Sequence, residues 1–139
     1  MKKYKGLIIM LIVAISLFGL AGCGSEKNTA ANTPQKAEFE QITAQQAKEI
    51  MEKETGYIII DARTQEEFDE GHIEGAIMIP EYEISERAEK ELPNKEQLIL
   101  VYCRSGRRSK IASQALVDLG YTNVKEFGGI IDWPYEIVV

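Results

Sequence analysis

Two short apolar runs constrain the fold of this chain more than any other feature. "YIII", Tyr57 to Ile60, ends at Asp61, and "LILVY", Leu98 to Tyr102, ends at Cys103. Uninterrupted apolar runs of this length, with no polar alternation, are the pattern of strands covered on both faces, as in a parallel sheet. Helix signals fall between and around them. Thr43 with Gln46, and Thr64 with Glu67, are capping-box patterns. The first opens "TAQQAKEIMEKE", with Ala47, Ile50 and Met51 on one face, and the second opens a short helix ending at Gly71. "AIMI" before Pro80 reads as a short strand and "EISERAEKEL" as a charged surface helix closed by Pro93. The longest helix is expected from Arg107 to Leu119, with Ile111, Ala115, Leu116 and Leu119 inward and Gly120 as its stop. "VKEF" is the last expected strand, before Gly128, Gly129 and Trp133. Strands alternating with helices imply an α/β fold, a central mainly parallel sheet flanked by helices. Ligands of such sheets bind at the carboxyl ends of the strands, where Cys103 falls.

The first 39 residues read differently. Lys2, Lys3 and Lys5 precede "GLIIMLIVAISLFGL", the basic and apolar regions of a secretory signal, and the apolar part is short for a membrane span. "LAGC", Leu20 to Cys23, resembles a bacterial lipobox, which implies a signal peptide over 1–22 and a lipidated N-terminal Cys23. The alternative is an uncleaved anchor with an incidental cysteine, and the occurrence of all three parts in order weighs against it. Residues 23–39 are polar and small, and are expected to be a flexible tether reaching roughly 20 Å. The folded domain is then 40–139, one core's worth of chain. The expected location is the extracytoplasmic face of the cell membrane, held there by the lipid.

Without residues 1–22 the chain keeps 13 Lys and Arg against 22 Asp and Glu, a formal charge of -9. Nucleic acid and anionic headgroups are therefore poor candidates as partners on charge. With Cys23 lipidated, Cys103 has no internal disulfide partner, so a reactive role is more natural than a structural one.

Against this acidic background, "VYCRSGRRS" gathers Arg104, Arg107 and Arg108 around one thiol. A thiol at a strand end, just before a helix start, faces the unpaired N–H groups of the first turn. With Gly106 letting the backbone curl close to the sulfur, these donors make an anion cradle that favours thiolate. Arg107 and Arg108 open a helix whose N-terminus disfavours cations, which points to function at that spot.

The order "IIIDARTQEEFDEGHIEGAIMIP", "LILVYCRSGRRS", "GGIIDW" resembles the single-domain rhodaneses, a sulfurtransferase family, over the whole domain from about Glu40. The resemblance implies that Cys103 takes a sulfane sulfur from a small anionic donor, becomes a persulfide and passes the sulfur to cyanide or a thiol. It implies that Arg104, Ser105, Gly106, Arg107 and Arg108 form the active-site loop and that Ser109 is the small hydroxyl residue where the helix takes over. Asp61 and Arg63 match the family's strand-end pair, as supporting residues that fix the loop or meet the donor. His72 in "GHIEGA" is expected to be structural, its ring satisfied by backbone. Trp133 and the glycine pair are expected to pack and turn. Neither a metal nor a cofactor is called for, and a monomer is expected. Cysteine phosphatases and arsenate reductases share the layout but place five residues between Cys and Arg; here four separate Cys103 from Arg108, and Ser109 stands in the arginine's place. A non-catalytic rhodanese-like binding module is the other alternative, and such modules commonly lack the cysteine that this chain keeps.

Overall fold

A computed structural model describes residues 37–139; the expected signal peptide, Cys23 and most of the expected tether lie outside the described residues. In chain order the elements are β1 (Glu40–Gln41), α1 (Ala44–Lys53), β2 (Ile58–Asp61), α2 (Gln65–Asp69), β3 (Ala76–Met78), α3 (Ile84–Glu91), β4 (Ile99–Cys103), α4 (Arg107–Asp118) and β5 (Val124–Gly129), followed by a 3-10 turn, Ile130–Asp132. The five strands form one sheet in the order β1-β5-β4-β2-β3, with every pairing parallel. An α/β fold with a parallel sheet is what the sequence pattern implies.

Both capping boxes form. Thr43 accepts from the Gln46 amide while the Gln46 side chain accepts from the Thr43 amide, and Thr64 and Glu67 do the same at α2. Each box satisfies two otherwise orphaned donors within one turn, so local sequence suffices to start these helices. Gly120, in a left-handed conformation (φ 93°), ends the last helix.

All five residues of β4 are buried, because β5 and β2 flank it and helices cover both faces. Period-two alternation sorts the two strands at the sheet's centre. Ile60, Val101 and Cys103 pack with Ala88 of α3 and Leu116 of α4, whereas Ile59, Leu100 and Tyr102 pack with Ala47 of α1. Phe39, just before β1, packs against the first of these clusters.

The structure corrects two expectations. The inward face of α4 is Ser109, Ala112, Ser113, Leu116 and Val117, and Ile111 is 46% exposed. Small Ser and Ala residues let the helix approach the sheet closely, and apolar periodicity alone cannot see a face made partly of serine. β1 was not expected at all. Its two residues pair with Lys125 and Glu126 of β5, a register that no local pattern of "EQ" announces.

Candidate active site

The site begins with an irregularity in the sheet. β4 and β5 run in register from Ile99 opposite Val124 to Val101 opposite Glu126, then slip, so that Cys103 faces Gly129. The slip brings the end of β5 beneath the loop that follows Cys103. A Cβ placed on Gly129 would lie 2.2 Å from the Arg104 carbonyl oxygen and 2.5 Å from the Ser105 Cα, so only glycine lets the loop rest there. The Ile131 N–H donates to the Arg104 carbonyl at 3.3 Å and pins the loop from the same side.

Gly106 turns the chain into α4. Its φ of 94° is in the left-handed region, it serves as the N-cap without a side chain, and its N–H donates to the Cys103 sulfur at 3.1 Å. Cys103 is 1% exposed, at the floor of the cradle. Burial by itself pushes this thiol up, but the Ser109 hydroxyl and the backbone N–H groups of Ser109, Ser105 and Gly106 together outweigh it, and the Cys103 pKa is lowered. The cradle expected from the strand–loop–helix pattern is therefore built mainly from backbone donors.

The structure places the arginines unequally. Arg104 and Arg107 are exposed, as is Ser105, and among the described residues neither arginine has an ion-pair partner. Arg108 is instead bonded to Glu67 on α2 through both terminal nitrogens, at 2.7 and 2.8 Å. Bonding to Arg108 holds the Glu67 carboxyl down to about 2. Ser109 is fully buried, and its hydroxyl lies 2.6 Å from Oε1 of Glu126 on β5.

Asp61 and Arg63 form a separate buried unit. Arg63 is 5% exposed; its Nε reaches both Asp61 oxygens, and its Nη2 bonds Asp61 at 2.7 Å and the Gly71 carbonyl at 2.7 Å. The Tyr102 hydroxyl donates to Asp61 at 2.6 Å and accepts from the Ile73 N–H. Burial, then the Asp61 charge, raises the Tyr102 phenol. This network ties the ends of β2 and β4 to the segment before β3, and its guanidinium nitrogens named here are engaged within it. His72 stacks on Phe68, and its Nδ1 donates to the Phe68 carbonyl at 3.0 Å. Trp133 is half-buried against Phe127.

Three residues around the loop went unremarked or underweighted in the sequence: Glu67 as the partner of Arg108, Gly129 as the floor under Arg104, and Glu126 beneath Ser109. The one signal available for Glu126 was position. It stands two residues after Val124, on the inward side of a strand, where an acid is unusual. No group of three or more His, Cys, Asp or Glu that could hold a metal ion occurs among the described residues.

The chain is similar to known proteins in sequence and fold. A rhodanese-like domain family matches residues 43–134. Thiosulfate sulfurtransferase PspE of Escherichia coli is 41% identical over 73 residues, covering 52% of this chain and 70% of that protein. Thiosulfate sulfurtransferase GlpE of Coxiella burnetii is 33% identical over 96 residues, covering 68% of this chain and 87% of that one. Among solved structures, a rhodanese with anions from E. coli superposes with a TM-score of 0.56 at 38% identity, covering 59% of this chain and 96% of that chain. A rhodanese-like domain protein from Staphylococcus aureus gives 0.62 at 28% identity, covering 73% and 98%. With a matched segment running from the first capping box to Pro134, and the cysteine loop inside it, the chain belongs to the rhodanese-like sulfurtransferase family.

Proposed function

We propose that the protein moves sulfane sulfur through a persulfide on Cys103, and that it works tethered to the outer face of the membrane. The observation that carries the chemistry is a buried sulfur with a lowered pKa, held 3.1 Å from the Gly106 N–H in a ring of backbone donors. The Cys103 thiolate attacks the outer sulfur of thiosulfate, the S–S bond of the donor breaks, and sulfite leaves with the bonding electron pair. The terminal sulfur of the resulting persulfide anion sits in the cradle, where the donors that favoured thiolate favour it equally. Cyanide or a thiolate then attacks that sulfur, and Cys103 departs as thiolate, giving thiocyanate or an acceptor persulfide. No proton or outside electron is needed in either half with anionic partners. Thiosulfate as donor is supported by the names of the two relatives.

Transfer of a phosphoryl group is disfavoured by the same loop. Four residues separate Cys103 from Arg108, that arginine is bonded to Glu67, and the next position is the buried Ser109. A tetrahedral group on the sulfur would lack a guanidinium to stabilise its equatorial oxygens.

Intact-mass analysis of the protein after incubation with thiosulfate tests the reading. One added sulfur that cyanide removes, and that Cys103→Ser cannot acquire, is the expected result. Aryl phosphatase turnover dependent on Cys103, without any added sulfur, would overturn it. The tether is tested separately. Cys23→Ala should abolish lipid labelling and stop processing at this site, and a variant that still matured and stayed on the membrane would remove the lipobox from the account.

A further inference from the structure

Glu126 is 2% exposed, and among the described residues no cation pairs with it. Its Oε1 accepts from the Ser109 hydroxyl at 2.6 Å and from the Gly128 N–H at 2.9 Å. A Cβ on Gly106 would lie 3.9 Å from that same oxygen, and the Gly106 N–H reaches the Cys103 sulfur at 3.1 Å. A carboxylate therefore lies directly behind the cradle, with one glycine and one serine between it and the sulfur.

Ser109 has one hydroxyl proton and several claimants. Glu126 Oε1 is at 2.6 Å, the Gly106 carbonyl at 3.0 Å and the Gly128 carbonyl at 3.4 Å, and the Cys103 sulfur is also within its reach. The carboxylate is the nearest oxygen and the one that makes a charge-assisted bond, so it competes with the sulfur for that proton. The sulfur keeps its backbone donors and only a share of the hydroxyl.

We propose that Glu126 is a positioning residue for the sulfur chemistry, competing with Cys103 for the Ser109 hydroxyl and opposing charge on the sulfur, so that the sulfur stays nucleophilic in a donor-rich cradle. The proposal rests on Cys103 as the sulfur carrier. A thiolate stabilised by every available donor forms readily but attacks poorly, because nucleophilicity falls with pKa. A fixed negative charge behind the cradle limits that loss. Arg108 of α4 also acts on the sulfur, with Glu67 of α2 bonded to it and Glu81 after β3 acting on it, and Arg104 and Arg107 are exposed nearby in the sequence. All of these stay in place when Glu126 is changed.

The test is the pH profile of Cys103 alkylation by iodoacetamide, which requires no sulfur donor and so stands even if thiosulfate proves not to be a substrate. Glu126→Gln keeps the shape and removes the charge. Its midpoint should fall by about one pH unit. At a pH above both midpoints, where each protein is fully thiolate, it should react about threefold more slowly than the parent. Ser109→Ala, in the parent background, should raise the midpoint by well under one pH unit, because Glu126 already takes the larger share of that proton. A Glu126→Gln midpoint that stays put or rises would overturn the proposal. So would a Ser109→Ala midpoint raised by about a unit or more, since the hydroxyl would then be serving the sulfur. Should Glu126→Gln fail to fold by circular dichroism, the Ser109→Ala profile decides alone.

Discussion

Arg108 and Glu67 stand 41 residues apart in sequence and share two short bonds, Nη1 to Oε2 at 2.7 Å and Nη2 to Oε1 at 2.8 Å. The pair is mostly shielded, with side chains 19% and 24% exposed, and it fastens the first turn of α4 to α2 beside the sulfur. An arginine in the cysteine loop thus acts as a clasp between two helices, and Arg104 and Arg107 are the loop's cations without an ion-pair partner among the described residues.

Arg108→Ala should cost about 1–2 kcal/mol of stability at neutral pH, because it leaves the Glu67 carboxylate without its partner. The folded-state pKa of Glu67 is depressed, so the pair's contribution is complete above the ordinary value of 4.5 and is lost as the pH falls toward about 2. Urea denaturation of parent and variant should therefore show a gap that is constant above pH 5 and narrows below 4.5. A gap independent of pH over that window would mean the pair contributes packing alone.

Removing the exposed loop cations should change capture of the donor. Arg104→Ala with Arg107→Ala should raise the KM for thiosulfate severalfold and weaken its dependence on salt, with kcat changed little. Steady-state kinetics at two ionic strengths read this directly. An unchanged KM would mean that the cradle's backbone donors suffice for binding.

Gly129→Ala should disable the site without unfolding the protein. The new methyl would meet the backbone of Arg104 and Ser105, which cannot swing aside as a side chain can, so the loop must lift from β5. Displacing a reacting group by about 1 Å costs on the order of 100-fold in rate. Sulfur transfer should fall on that scale, and the alkylation midpoint of Cys103 should rise as donors move away. Near-parental activity would show that the loop's seat on β5 is not what aims the sulfur.

Tyr102→Phe should destabilise the fold by about 1–3 kcal/mol, since it leaves the buried Ile73 N–H unpaired and takes one donor from Asp61. Asp61→Ala should cost more, about 3–5 kcal/mol, because the buried Arg63 charge then loses its counter-ion. Chemical denaturation ranks the two. If Asp61→Ala proved the milder change, Arg63 would be finding water or another acceptor once Asp61 is gone.

The parts of this molecule legible in its sequence are those decided within one turn or one strand. Thr43 with Gln46 and Thr64 with Glu67 start their helices through bonds spanning three residues, and the apolar runs before Asp61 and Cys103 announce strands covered on both sides. Gly106 was legible for the same reason, because a glycine three residues after the cysteine lets the backbone approach the sulfur closely. The rest required elements distant in the chain to be set side by side. Nothing local tells Arg108 that α2 will bring Glu67 to it, or tells Ser109 that β5 will put a carboxylate behind its hydroxyl. The two-residue β1, the outward Ile111 and the floor made by Gly129 likewise follow from the sheet order and from the slip between β4 and β5. Sequence periodicity determines which face of an element is apolar, whereas the donors and charges that surround a sulfur are determined by which elements the folded sheet makes neighbours.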